Sequence, residues 1–60
     1  MSADSWMKGA LGNSAQYYNP DYPDWQIYDK AAGFFVWQEF RYLGRYDSFD
    51  DAEAAVKAAS

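Results

Sequence analysis

Cysteine and histidine are both missing from this 60-residue chain, and their absence excludes whole classes of chemistry. Without cysteine there are no disulfides, and without either residue the common zinc ligand sets cannot be assembled. Nucleophilic and general-base chemistry near neutral pH draws most often on the same two side chains, so catalysis is not expected. A carboxylate pair could still act as acid and base. A chain this short, however, has little volume for a pocket as well as a core. No apolar run approaches the ~20 residues that span a bilayer. Asp4 stands ahead of any apolar run, and no signal-type hydrophobic segment follows Met1. A cytosolic protein, complete as a small gene product, is the expectation. Positive charge is also scarce: five basic residues face nine acidic ones, a net charge of −4. That balance disfavours nonspecific binding to nucleic acid or anionic membrane, both of them polyanions.

What the chain has instead is rings. Four Phe, six Tyr and three Trp make up 22% of it. A domain of this size buries only about 60% of the surface that its unfolded chain exposes, so its stability is marginal. Small folds usually compensate with disulfides or a metal; here large side chains are the remaining means, each ring burying roughly 150–250 Å². A core made of a few big pieces follows.

Along the chain, "SADSWMKGAL" places Ala3, Trp6, Met7, Ala10 and Leu11 at helical spacing, with Ser2 as N-cap and Gly12-Asn13 as a stop. This predicts a short N-terminal helix, weakened by Gly9 by about 1 kcal/mol relative to alanine. In "NSAQYYNPDYPD", Pro20 and Pro23 push the residues before them toward extended backbone, and regular structure is not expected. From Trp25 the pattern changes. "WQIYDK" alternates, "AAG" turns the chain, "FFVWQEF" is rich in β-branched and aromatic types, and "RYLGRY" follows a tight reversal, with Gly44 marking a bulge or a close backbone approach. "SFDDAEAAVKAAS" begins with Ser48 and has Asp51 three residues later, a capping-box-like start. Asp50, Asp51 and Glu53 load its first turn and Lys57 its last, which suits the helix dipole. Phe49, Ala52, Val56 and Ala59 form its apolar stripe.

The predicted fold is α+β and a single domain. Residues 1–24 form an N-terminal helix and an aromatic, proline-containing arm, residues 25–46 a three-stranded antiparallel meander, and residues 48–59 a helix packed on one face. Neither face of Phe34–Phe40 is purely polar, so the arm is expected to shield the second face by laying its rings on Phe35 and Trp37.

"DSFDDAE" has carboxylates for a calcium ion, but the spacing lacks the glycine turn that such loops need, and helix capping accounts for the residues. Metal and cofactor are therefore not expected. Asp21, Asp24 and Asp29 are not accounted for by capping, and they cluster in sequence with Tyr17, Tyr18, Tyr22, Trp25 and Tyr28. Tyrosine and tryptophan commonly anchor interfaces, and carboxylates set between them can pair with a partner's arginines. A solvated acidic rim around buried rings would give the same composition. The candidate partner-binding set is Asp21, Asp24, Asp29 and Glu39 for charge, with Tyr18, Tyr22 and Trp37 as anchors.

"YLGRYDSFDDAEAAVKAA", Tyr42–Ala59, resembles the strand-to-helix end of the three-strand-plus-helix DNA-binding modules of the AP2 and phage-integrase N-terminal kind. That resemblance implies a sheet that reads DNA, with Lys30, Trp37, Arg41 and Arg45 as the residues available for contact. As a class, a tiny, cysteine-free, acidic and aromatic-rich chain resembles the inhibitors that phages direct at host nucleic-acid machinery, anti-CRISPR proteins among them. This second resemblance implies a protein without catalysis that occupies a basic surface on a host protein or ribonucleoprotein complex and blocks its DNA binding; a monomer is expected ahead of a homodimer built through a sheet edge or a leftover aromatic face. The two expectations, inhibitor and sheet-based DNA-binding module, differ in the partner.

Overall fold

The computed structural model describes residues 6–11 and 14–60. Among these residues, five strands are followed by one helix: β1 (Met7–Leu11), β2 (Ser14–Asn19), β3 (Tyr22–Lys30), β4 (Gly33–Gln38), β5 (Arg41–Tyr46) and α1 (Phe49–Ala59). Strand order in the sheet equals order in the chain, and every pairing is antiparallel. The α+β class holds, but the expected three-stranded sheet is a five-stranded one.

The two extra strands come from the segments expected to be a helix and an arm. Met7–Leu11 is extended and pairs with β2, while residues 2–5 of the expected helix and its Gly12-Asn13 stop lie outside the described residues. Over so few residues the apolar spacing does not separate a helix from a strand, Gly9 weakens the helix, and pairing with β2 decides for the strand. In the arm, the prolines do not oppose a strand. Asn19 and Tyr22, each preceding a proline, are the last pair of the β2–β3 ladder, in the extended backbone that a pre-proline position prefers. Pro20 lies in the turn, and Pro23 falls where neither ladder uses its missing N–H. Asn19 is buried, and its Oδ1 accepts from the Asp21 N–H at 2.9 Å, which closes the turn.

The register sorts the side chains onto two faces. Tyr17, Ile27 and Val36 stand side by side across β2, β3 and β4, and Phe34 faces Tyr46 on β5. With Trp6 and Trp25, these residues meet Ala52, Val56 and Phe49 of α1. Ile27, Val36 and Val56 are fully buried, each contributing about 1.5–3 kcal/mol. Phe49 is the hub of the ring packing, with Tyr17, Trp6 and Phe34 at centroid distances of 4.8, 5.8 and 6.2 Å.

The helix begins as its sequence requires. The Ser48 hydroxyl accepts from the Asp51 N–H at 3.1 Å, and Asp50 and Asp51 occupy the first turn. Its packing stripe differs from the expected one at two positions: Ala59 is exposed, and Glu53 is buried beside Ala52 and Val56. Glu53 faces inward because Trp6 Nε1 donates to its Oε2 at 2.9 Å, which satisfies both groups away from water.

The turn before β4 depends on Gly33. Its φ is +137°, and a Cβ there would lie 2.7 Å from Arg45 Nη1 and 3.0 Å from the Tyr46 carbonyl oxygen. Arg45 crosses this space to donate to the Ala32 carbonyl and to Asp47, both at 3.0 Å. A bulge opposite Val36 and Trp37 brings in Leu43 as the additional β5 residue, next to Gly44 as the sequence suggested.

Candidate binding surface

The helix covers one face of the sheet; the arm does not cover the other, because it has become part of the sheet. That second face is set by register. Tyr18 pairs with Met7 and Gln26, Gln26 with Trp37, and Trp37 with Tyr42. One row further along, Gln16 pairs with Tyr28, Tyr28 with Phe35, and Phe35 with Arg45. Five rings thus share one face, joined by Met7, two glutamines, Lys30 and Arg45. The rings shield one another in part: Tyr42 lies 5.2 Å from Trp37 and 6.3 Å from Phe35, centroid to centroid. Tyr42, Tyr18 and Met7 nevertheless stay 45–49% exposed. Isolated apolar residues at a surface need no explanation, but a contiguous ring cluster on an uncovered sheet is the usual composition of a contact face.

Lys30 and Arg45 are the cations of this face, and both are engaged within the protein. The Lys30 ammonium lies 5.8 Å from the Tyr28 centroid and 5.7 Å from that of Phe35. Arg45 is held by Ala32 and Asp47. Arg41 pairs with Gln38, in the row of Trp25, so the register assigns it to the helix side of the sheet. Of the residues expected to contact DNA, Lys30, Trp37 and Arg45 share the uncovered face and Arg41 does not.

The partner-binding set drawn from the sequence divides three ways. Tyr18 and Trp37 are on the uncovered face. Tyr22 stacks on Trp6 at 6.2 Å with ring planes 10° apart and belongs to the core side. Asp21 in the β2–β3 turn, Asp24 at the start of β3 and Glu39 in the β4–β5 turn gather at one end of the sheet, where the Glu39 N–H donates to the Asp24 carbonyl at 2.8 Å. Asp29 is near the opposite end, in the row of Ala15 and Phe34 on the helix side.

Sequence reasoning did not single out Tyr28, Phe35 and Tyr42 together, or Phe40. The signal for the first three was alternation, legible only once the pairing is known. Phe40 is 97% exposed at the apex of the β4–β5 turn. Its neighbour Glu39 has φ +55°, the left-handed region that non-glycine residues rarely occupy. Beside them Tyr28, Lys30, Trp37, Glu39 and Phe40 line an open depression of ≈ 390 Å³. Among the described residues no helix is long and apolar enough to cross a membrane. Comparison with known protein families, with curated proteins and with solved structures finds no match to this chain.

Proposed function

We propose that this protein is a non-catalytic binding module of the cytosol that docks its uncovered sheet face on a basic protein surface, in the manner of a small phage-type inhibitor of a host nucleic-acid-handling complex. The observation that carries the reading is the ring cluster Tyr18, Tyr28, Phe35, Trp37 and Tyr42, left open on a sheet whose other face packs the core against α1. Large rigid rings bring much contact area with little loss of side-chain freedom, which is why they dominate interface energetics. Charge selects the partner. The chain carries −4 overall, and Asp21, Asp24 and Glu39 flank the ring cluster at the Phe40 end, with Arg41 as the opposing charge there. A basic groove that normally holds phosphates complements that end, and its occupation would exclude DNA.

A photo-crosslinking residue at position 42 in cells of the host tests the reading, with position 54 on the exposed side of α1 as control. The expected result is a partner captured from position 42 and not from 54, whose DNA binding falls when this protein is added. A captured partner whose DNA binding stays unchanged at saturating protein overturns the inhibitor reading. A second reading has Lys30 and Arg45 on the ring face in its favour: single-stranded nucleic acid stacked on the sheet. A gel shift of oligonucleotides by this protein alone at low salt, where such affinity is greatest, would replace the first reading with the second.

A further inference from the structure

We infer that the depression lined by Tyr28, Lys30, Trp37, Glu39 and Phe40 is a seat for an arginine side chain of the partner; this rests on the docking reading above and names the chemistry at its centre. Three observations converge on a cation. First, the face already holds one. The protein's own Lys30 ammonium stands over Tyr28 and Phe35 at 5.8 and 5.7 Å, so these rings accept positive charge where they stand. Second, the wall at the other end is acidic. Glu39 lines the depression, and the structure shows no ion pair to its carboxylate among the described residues. Third, the turn is held in an unfavourable shape that keeps this wall in place: Glu39 at φ +55°, its N–H bonded to the Asp24 carbonyl, and the Phe40 ring 97% exposed beside it. Backbone strain of this kind persists where the surroundings over-determine it, and it concentrates at ligand clamps.

Arginine fits these walls better than lysine does. A guanidinium lies flat on an aromatic face while its in-plane N–H groups donate to a carboxylate, so Trp37 or Phe40 can stack it and Glu39 can receive it. The volume, ≈ 390 Å³, is at the small end of ligand sites and suits one side chain rather than a cofactor. A nucleobase could stack on the same rings, but a phosphate at the Phe40 end would meet the Glu39 carboxylate. Lys30 is thus both a stand-in and a competitor: it marks the chemistry of the seat and opposes a second cation.

The test is a titration of the full chain, followed by NMR on the Trp37 indole and the Glu39 and Phe40 amides, with acetyl-Gly-Arg-Gly-amide. The same peptide with citrulline, which keeps the shape and loses the charge, is the control, and oligothymidylate is the competing probe. The arginine peptide is expected to bind most tightly. Glu39→Gln should weaken it roughly three- to tenfold, and Lys30→Met should strengthen it by a few-fold. Equal binding of arginine and citrulline, or an unaltered affinity in a folded Glu39→Gln variant, overturns the seat. So does preferential binding of oligothymidylate at the same signals. Failure here is separable from failure of the docking reading. If Tyr18→Ser abolishes capture from position 42 while Glu39→Gln and Lys30→Met leave it unchanged, the docking reading stands and the arginine seat falls. If Tyr18→Ser also leaves capture unchanged, both fall.

Discussion

Trp6 and Glu53 hold the two ends of the chain together: an indole N–H just before the first strand donates to a carboxylate in the only helix of the described residues, 47 positions away, at 2.9 Å. Both groups are buried, with Glu53 8% exposed. Glu53→Leu therefore leaves a buried N–H without an acceptor, which costs roughly 1–3 kcal/mol. Glu53→Gln keeps an acceptor and costs less. Urea unfolding of Glu53→Leu, Trp6→Phe and the double variant measures the coupling, and the double variant is expected to lose less than the sum of the singles.

Ile27 sits at the centre of the helix side, between Tyr17 and Val36, with none of its surface exposed. Ile27→Val is expected to cost about 0.5–1.5 kcal/mol and Ile27→Ala about 2–5 kcal/mol. In a domain this small the larger loss approaches the whole stability. Circular dichroism of Ile27→Ala at 37 °C should show a largely unfolded chain, and that of Ile27→Val a folded one.

Gly33→Ala meets two obstacles: a φ of +137° and a Cβ that would sit 3.0 Å from the Tyr46 carbonyl. The loss is expected at about 1–3 kcal/mol. The nearer obstacle, the Arg45 guanidinium, can swing aside, whereas the carbonyl cannot. Thermal denaturation of Gly33→Ala/Arg45→Ala should therefore recover only a small part of the loss.

Glu39 occupies the left-handed region without glycine's freedom. Glu39→Gly removes that strain and is expected to raise the melting temperature, by an amount corresponding to a gain below about 1–2 kcal/mol. Phe40→Ser, at a nearly fully exposed position, is expected to change stability by less than about 0.5 kcal/mol. Differential scanning calorimetry of the two variants checks both.

The parts of the structure legible in advance are those fixed by local chemistry. Ser48, Asp50, Asp51 and Lys57 announce a helix through rules that operate within one or two turns, and the helix starts where they place it. Trp25 to Tyr46 announced strands by ring-polar alternation and a glycine turn. The first two strands were not legible for a physical reason. Trp6, Met7, Ala10 and Leu11 satisfy a helical spacing over a window too short to separate it from alternation, and β1 is extended because β2 lies beside it. Pro20 and Pro23 argue locally against regular structure, yet the restriction that they impose on Asn19 and Tyr22 is the geometry of a strand. The candidate site followed the same division. Its residue types could be read from composition, but which rings share a face depends on a register shifted by a bulge at Leu43 and an irregularity at Asn19. Tyr22 fell to the core and Tyr42 to the open face for that reason.

Because strand order repeats chain order, each ladder joins neighbours in sequence. Ordering such a sheet demands little long-range search, so folding is expected to be fast for a β-rich domain, each hairpin templating the next. The contacts of α1 are the exception: the Trp6–Glu53 hydrogen bond and the packing of Phe49 on Trp6 and Tyr17 join distant parts of the chain and form only when the helix is present. During synthesis the strands can pair as they emerge, while the final clamp waits for the helix to leave the ribosome.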